Sequence, residues 1–151
     1  RIQKLLHALK YKNMPAVGLH IGRRYGTEIR PSINAPFDVV IPIPLHKKKL
    51  KKRGYNQSDS FAIGLAEALE TSFELNALVR QINNETQTKK SREERWKNVA
   101  HAFKVNEIEL IKDKNILLVD DVITTGATLE ACVDVLLPYA SSVSIATIAV
   151  A

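Results

Sequence analysis

Apolar residues along this chain change period several times, and each change marks an element. Ile2, Leu5, Leu6 and Leu9 recur at i, i+3, i+4 and i+7, which predicts an amphipathic helix over Arg1 to Tyr11. Asn13 and Pro15 suit the start of a second helix, with Val17, Ile21 and Tyr25 on one side and Gly22 and Gly26 weakening it. Pro31 to Pro36 reads as a connector. Phe37 to Ile43, FDVVIPI, reads as a core strand ended by Pro42 and Pro44, since neither proline can donate to a ladder. Ser58 can cap the next helix, whose buried face is Ala62, Leu65, Ala66 and Leu69. Leu75 to Arg80 and Ala100 to Val105 read as short strands on either side of a long polar stretch, Gln81 to Asn98, within which Ser91 onwards admits a helix. Asn106 to Asp113 is a polar connection. Ile116 to Val119 is too short for a buried helix and suits a fully buried strand. Helical spacing returns with Leu129, Cys132, Val133, Leu136 and Leu137, and Ser142 to Val150 is a last strand.

Strands alternating with helices at this spacing predict an α/β fold: a parallel sheet with helices on both faces. At 151 residues the chain suits one domain, 1–151, with 1–30 as an N-terminal helical segment. That segment is expected to pack on the sheet edge or to cover a site, with His7 and His20 as surface or boundary residues. The polar stretch 81–98 is long for a connection inside a compact domain, which suits a lid as well as an exposed linker.

Composition narrows the setting. No apolar run approaches the ~20 residues of a membrane span. No signal peptide is visible, because the first residues alternate charged and apolar. The single cysteine, Cys132, falls on the apolar face of the last helix and excludes an intrachain disulfide, so a reducing cytoplasm is expected. The chain begins at Arg1 without Met, and residues upstream are expected. A net charge of +6 favours an anionic partner. Much of it is concentrated in Lys47, Lys48, Lys49, Lys51, Lys52 and Arg53, read here as a basic loop. Single-stranded DNA is one candidate partner for this run and a polyphosphate substrate another. Tyr55 is its only aromatic neighbour and no groove-reading motif is present, so the nucleic-acid reading is the weaker.

The chemistry concentrates in Asn115 to Thr128, NILLVDDVITTGAT. The buried run is followed by Asp120 and Asp121, then by the small, hydroxyl-rich turn Thr124, Thr125, Gly126, Ala127 and Thr128, then by a helix. Ligands of open α/β sheets bind beyond the carboxyl ends of the strands. A loop entering a helix offers free N–H groups and a positive dipole end, which suits a phosphate. Gly126 lets the backbone close round the anion, and the threonines add donors. The carboxylates can accept from sugar hydroxyls or face a metal ion. A phosphate cup beside an acid pair describes a ribose 5-phosphate site.

VDDVITTGAT closely resembles the signature of the type I phosphoribosyltransferases, which bind phosphoribosyl pyrophosphate (PRPP). IPIPLH, RGYNQS, TQ, Arg95 with Asn98, AF and LLVDDVITTGATL occur in that order, and this succession resembles the ComF/GntX group of that superfamily, associated with competence and DNA uptake. The resemblance implies a type I phosphoribosyltransferase-like fold with a flexible hood at 81–98. It implies that Asp120 and Asp121 hold the ribose 2- and 3-hydroxyls and that Thr124 to Thr128 cradle the 5-phosphate. In the resembled fold the loop after the first core strand binds pyrophosphate, which points to Arg53 and Gly54, with Arg92 or Arg95 closing from the hood. It implies Mg²⁺ held mainly through PRPP rather than by direct protein ligands. The reaction implied is phosphoribosyl transfer to an unidentified base or amine. The alternatives are a PRPP- or nucleotide-binding module without transfer, and an accessory protein of DNA uptake. Hypoxanthine/guanine enzymes place an Asp where this chain has Thr124, which cannot serve as a base at neutral pH. Members of the group often carry an upstream cysteine-rich zinc ribbon, which this sequence does not contain.

Overall fold

The computed structural model describes residues 14–81 and 102–150. The expectations for Arg1 to Tyr11, His7, Arg92, Arg95 and the rest of 82–98 lie outside the described residues. In chain order the elements are α1 (Pro15–Ile29), β1 (Val39–Pro42), α2 (Lys47–Arg53), α3 (Gln57–Leu69), β2 (Ser72–Phe73), β3 (Leu78–Arg80), β4 (Phe103–Val105), β5 (Asn115–Ile123), α4 (Ala127–Leu136) and β6 (Ser142–Val150), with 3-10 turns at Arg30–Ser32 and Ile108–Leu110. Among the described residues no helix is long and apolar enough to cross a membrane.

The main sheet has strand order β2-β1-β5-β6, and all three pairings are parallel. Alternate residues of the central strands feed two cores. Val39, Ile41, Ile116 and Leu118 pack with Leu129, Cys132 and Leu136 of α4. Val40, Leu117 and Val119 pack with Phe61, Ala62, Leu65 and Ala66 of α3. The period-2 pleat thus delivers helices to both faces, as the alternation of elements predicts.

β1 ends at Pro42, as the prolines predict, and Pro42 is still paired with Val119. The Val40 carbonyl accepts from Glu74 N on the β2 side, while Ile43 N donates to Val119 O on the β5 side. Pro42, two residues after Val40, therefore faces the β2 side, where that strand has already ended at Phe73, and its missing N–H leaves no gap. The strands at Leu78–Arg80 and Phe103–Val105 do not join the parallel sheet. They form a separate antiparallel ribbon, Leu78 opposite Val105 and Arg80 opposite Phe103, which buries Leu78 and Phe103 in the α4-side core.

The basic run is a helix, not a loop. Its start is capped by His46, whose Nδ1 accepts from Lys48 N at 3.2 Å. Its end is set by Gly54 at φ +81°, a left-handed position that favours glycine. Lys51, Lys52 and Arg53 occupy the last turn, where cations meet the negative dipole end. No residue of α2 is buried, so hydrophobic periodicity carries no trace of it.

α1 packs on α3 rather than on the sheet edge. Its buried residues are Gly18, Gly22 and Gly26, one per turn, while the partly buried Ile21 also packs on the α3-side core and the Tyr25 ring lies 6.2 Å from that of Phe61. The glycines that weaken the helix in isolation form the contact itself. A Cβ on Gly22 would lie 2.4 Å from the Phe61 carbonyl oxygen, and one on Gly64 would lie 2.2 Å from the Leu19 carbonyl oxygen. The exposed ion pairs Arg23–Glu67 and Arg30–Glu70 flank the crossing and add little to it.

α3 starts two residues earlier than a Ser58 cap would set it. Asn56 is the N-cap, but its side chain makes no cap hydrogen bond; its Nδ2 donates to the Ile43 carbonyl at 3.0 Å and to Asp59 Oδ1 at 2.6 Å. Burial pushes the Asp59 carboxyl up to about 6, against the opposing hydrogen bond from Asn56.

Two predictions follow from these contacts. Gly64→Ala gains about 1 kcal/mol of helix propensity but overpacks against backbone atoms that cannot rotate away, an effect of about 1–3 kcal/mol. A net loss of about 1 kcal/mol in chemical unfolding is expected; a variant more stable than wild type would show that the α1–α3 crossing adjusts freely. Asp59 has a folded-state value above its unfolded one, so its contribution is fully present below pH about 4 and declines as pH rises through about 6. Asp59→Asn should flatten that decline, by about 1–2 kcal/mol after allowing for its partial exposure. Parallel stability curves for both proteins from pH 4 to 7 would refute the assignment.

Candidate functional site

The connections out of β1 and β5 run in opposite directions. β1 leads through α3 to β2 on one side, and β5 leads through α4 to β6 on the other. The carboxyl ends of β1 and β5 therefore flank the switch point of the sheet, where open α/β sheets leave a crevice. The first turns of α3 and α4 approach that crevice from opposite faces.

β5 does not stop before the acid pair. It continues to Ile123 because β6 continues beside it, with Asp120 opposite Thr147, Val122 opposite Ala149 and Ile123 opposite Val150. Asp120 and Asp121 are thus strand residues whose backbone is set by the ladder. A concavity of about 220 Å³, open to solvent, is walled by Asp120, Val122, Ile123, Thr124, Thr125, Gly126, Thr128 and Leu129. Gly126 is the N-cap of α4 at φ +77°, and a Cβ there would meet nothing within 4 Å. The requirement for glycine is conformational, not one of space. No side chain caps α4, so no cap competes for the N–H groups of its first turn. These can receive an anion together with the hydroxyls of Thr124, Thr125 and Thr128.

Asp120 Oδ1 accepts from Asp121 N at 2.8 Å and from Ser58 Oγ at 3.2 Å. The half-buried Asp121 does not line the concavity, and its carbonyl accepts from Thr147 Oγ1 at 3.3 Å. Ala127 is likewise not part of the wall and belongs to the first turn of α4. Arg53 and Gly54 do not line it either. Arg53 Nη1 donates to Gln57 Oε1 at 2.7 Å, and the next residue, Ser58, reaches Asp120. Gln57 is buried, and its Nε2 has no hydrogen-bond partner among the described residues.

Several neighbours carry no obvious mark in the sequence. Arg80 lies over the Phe103 ring, 5.1 Å from its centroid, and burial lowers the guanidinium below its ordinary value. Burial first, then the positive charges of Arg80, Lys48 and Lys49, lowers His46, which suits its role as an acceptor cap. Burial first, then Asp120, pushes the Cys132 thiol well above its ordinary range, with Arg80 opposing. Cys132 is therefore inert packing, as its place on the apolar face of α4 suggests. Ser58 is tied to the acid pair through its hydrogen bond to Asp120. A buried serine in the first turn of a helix signals a cap in the sequence, and only the tertiary fold shows its partner 62 positions away.

These features have counterparts. Residues 52–151 match the family model of the phosphoribosyl transferase domain. The competence protein ComFC of Bacillus subtilis (strain 168) is 36% identical over 109 residues, 72% of this chain and 42% of that protein. The DNA utilization protein YhgH of Escherichia coli (strain K12) is 28% identical over 142 residues, 90% of this chain and 61% of that protein. The chain spans about three fifths of the length of the YhgH relatives it matches. Among solved structures, the glutamine PRPP amidotransferase from B. subtilis complexed with ADP and GMP is 25% identical at a TM-score of 0.56, covering 85% of this chain and 26% of that one. A hypoxanthine phosphoribosyltransferase from Staphylococcus aureus, 16% identical at a TM-score of 0.52 and covering 86% of this chain and 61% of its own, shares the fold. With the family model matching two thirds of its residues and competence proteins among its relatives, the chain belongs to the phosphoribosyl transferase domain family as a ComF-type phosphoribosyltransferase-like protein.

Proposed function

We propose that this protein binds PRPP with Mg²⁺ and transfers the phosphoribosyl group to an unidentified base or amine, releasing pyrophosphate. The observation that carries the reading is the shared concavity of Asp120 and the Thr124–Thr128 turn, beyond the carboxyl end of a central strand and at the switch point of the sheet. In this reading residues 1–151 are one domain, with 1–30 as its N-terminal helical segment and 81–98 as its hood. Thr124, Thr125, Gly126, Ala127 and Thr128 hold the 5-phosphate, with Ala127 contributing its backbone N–H. Asp120 and Asp121 accept from the ribose hydroxyls. Arg53 and Gly54 contact the pyrophosphate, with Arg92 or Arg95 adding charge from the hood.

The residues present fit a magnesium ion held mostly by substrate oxygens and water. The Asp120 carboxylate borders the concavity, where it would offer an oxygen to an ion whose other ligands come from substrate and water. When bound, such an ion would neutralise charge on the departing pyrophosphate. The chain's own contribution is positioning and electrostatics. The bond from ribose C1 to the pyrophosphate oxygen breaks, a bond from C1 to the acceptor nitrogen forms, and the acceptor's proton passes to the departing pyrophosphate or to solvent. Two fixed carboxylates beside the ring favour the positive charge that develops on it. Hood closure would keep water from the same carbon. A module that binds PRPP or a nucleotide without transfer would use the same groups and lack only an acceptor pocket.

A second reading concerns DNA. Lys47, Lys48, Lys49, Lys51 and Lys52 are exposed on one short helix, and the relatives are named for DNA utilization and competence. This helix would supply phosphate contacts to a single strand, as part of an accessory role in DNA uptake.

Calorimetric titration with PRPP tests the first reading. Binding should require Mg²⁺, and Asp120→Asn with Asp121→Asn should weaken it by at least tenfold, the effect of losing one hydrogen bond to a charged group. No binding at millimolar PRPP would sink the reading. For DNA, affinity should fall with salt, with a log–log slope of about −0.7 for each phosphate neutralised. Replacing Lys47, Lys48, Lys51 and Lys52 by Ala should flatten that slope while Asp121→Asn leaves it unchanged; a slope indifferent to the lysines would remove α2 from the interface.

A further inference from the structure

Ser58 stands at the second residue of α3, where a hydroxyl ordinarily turns back to its own helix. Here it reaches across to β5 and donates to Asp120 Oδ1 at 3.2 Å. The serine is 3% exposed, so its hydroxyl is shielded from water and does not turn to solvent. The Asp121 N–H donates to the same oxygen at 2.8 Å. A carboxylate has a broad, nearly two-fold torsion about its last bond, and one donor leaves it free to rock. Two donors arriving at one oxygen from different elements define the plane of the group.

We infer that Ser58 is a positioning residue for sugar recognition: it orients the Asp120 carboxylate so that a ribose hydroxyl, rather than a deoxy position, is selected. This rests on the ribose reading of the acid pair given above. Ser58 need not touch the ligand. Its neighbour Gln57 holds Arg53 through the 2.7 Å bond, so one turn of α3 joins the acid pair to the residue assigned to pyrophosphate.

The test uses the full chain and three probes, ribose 5-phosphate and its 2-deoxy and 3-deoxy analogues, titrated calorimetrically. Asp120→Asn identifies which hydroxyl Asp120 reads, as the one whose removal no longer costs affinity in that variant. Ser58→Ala should reduce discrimination at that same hydroxyl by about threefold to tenfold, the effect of losing one net hydrogen bond. Affinity for the matching deoxy analogue should stay within twofold of wild type. Ser58→Thr, which keeps the donor, should restore discrimination. If Ser58→Ala does not fold, Ser58→Cys, close in size and a poor donor, makes the same comparison. Equal weakening of all three probes, or unchanged discrimination, would overturn the positioning role while leaving the ribose site intact. Failure of wild type to bind any of the three would overturn the ribose reading, and the inference with it.

Discussion

In-register parallel pairing of Val39–Pro42 with Ile116–Val119 is the constraint on which the site depends. Parallel strands cannot be joined by a tight turn, so each must leave through a crossover, and right-handed crossovers in opposite directions put α3 on one face and α4 on the other. Both helices then begin at the same end of the sheet, with their positive ends toward the crevice between β1 and β5. The cores beneath hold this arrangement with fully buried side chains: Ile41, Ile116, Leu118 and Leu136 on one face, Phe61, Leu65 and Val119 on the other. An anion site and a carboxylate pair are the polar groups such a crevice can accommodate, because helix ends supply donors and strand ends supply fixed side chains.

The main features of the site are legible in the sequence because they are local. Thr124 to Thr128 and the acid pair sit within nine consecutive residues, and the buried run before them announces the strand that carries them. What apolar runs report, however, is burial, not pairing. The run stops at Val119, whereas β5 goes on to Ile123 because β6 still offers backbone partners there. The same limit explains α2. Its seven residues bury nothing, and its boundaries come from a histidine cap and a left-handed glycine rather than from a hydrophobic face.

The glycines of α1 are a different kind of failure. Gly22 and Gly26 disfavour an isolated helix, and that intrinsic effect is real. It is outweighed because a helix without side chains on one face can approach another helix closely enough for backbone to meet backbone at Gly64. The signal was present as a four-residue spacing of Gly18, Gly22 and Gly26, but its sign depends on the partner helix, which lies some forty residues away. Ser58 follows the same rule. Its residue type promises a local cap, and its bond to Asp120 exists only because β5 and α3 converge.

This convergence bears on how the segment from Arg53 to Ser58 acts. Asn56 ties the turn to the end of β1 through the Ile43 carbonyl, Gln57 holds Arg53, and Ser58 holds Asp120. Three adjacent side chains thus reach three different elements. Each such bond is worth only about 1 kcal/mol net, too little to account for the stability of the fold. Their effect is geometric. A turn tied at three points cannot shift without moving Arg53 and Asp120 together, so the spacing between the proposed pyrophosphate and ribose contacts is set by the first turn of one helix. The buried Nε2 of Gln57 is the exception within this network, a donor without an acceptor among the described residues. Leaving such a group unpaired costs about 1–3 kcal/mol. That cost falls on the very side chain that holds Arg53, so any acceptor oxygen reaching Gln57 Nε2 would relieve it and tighten the same turn.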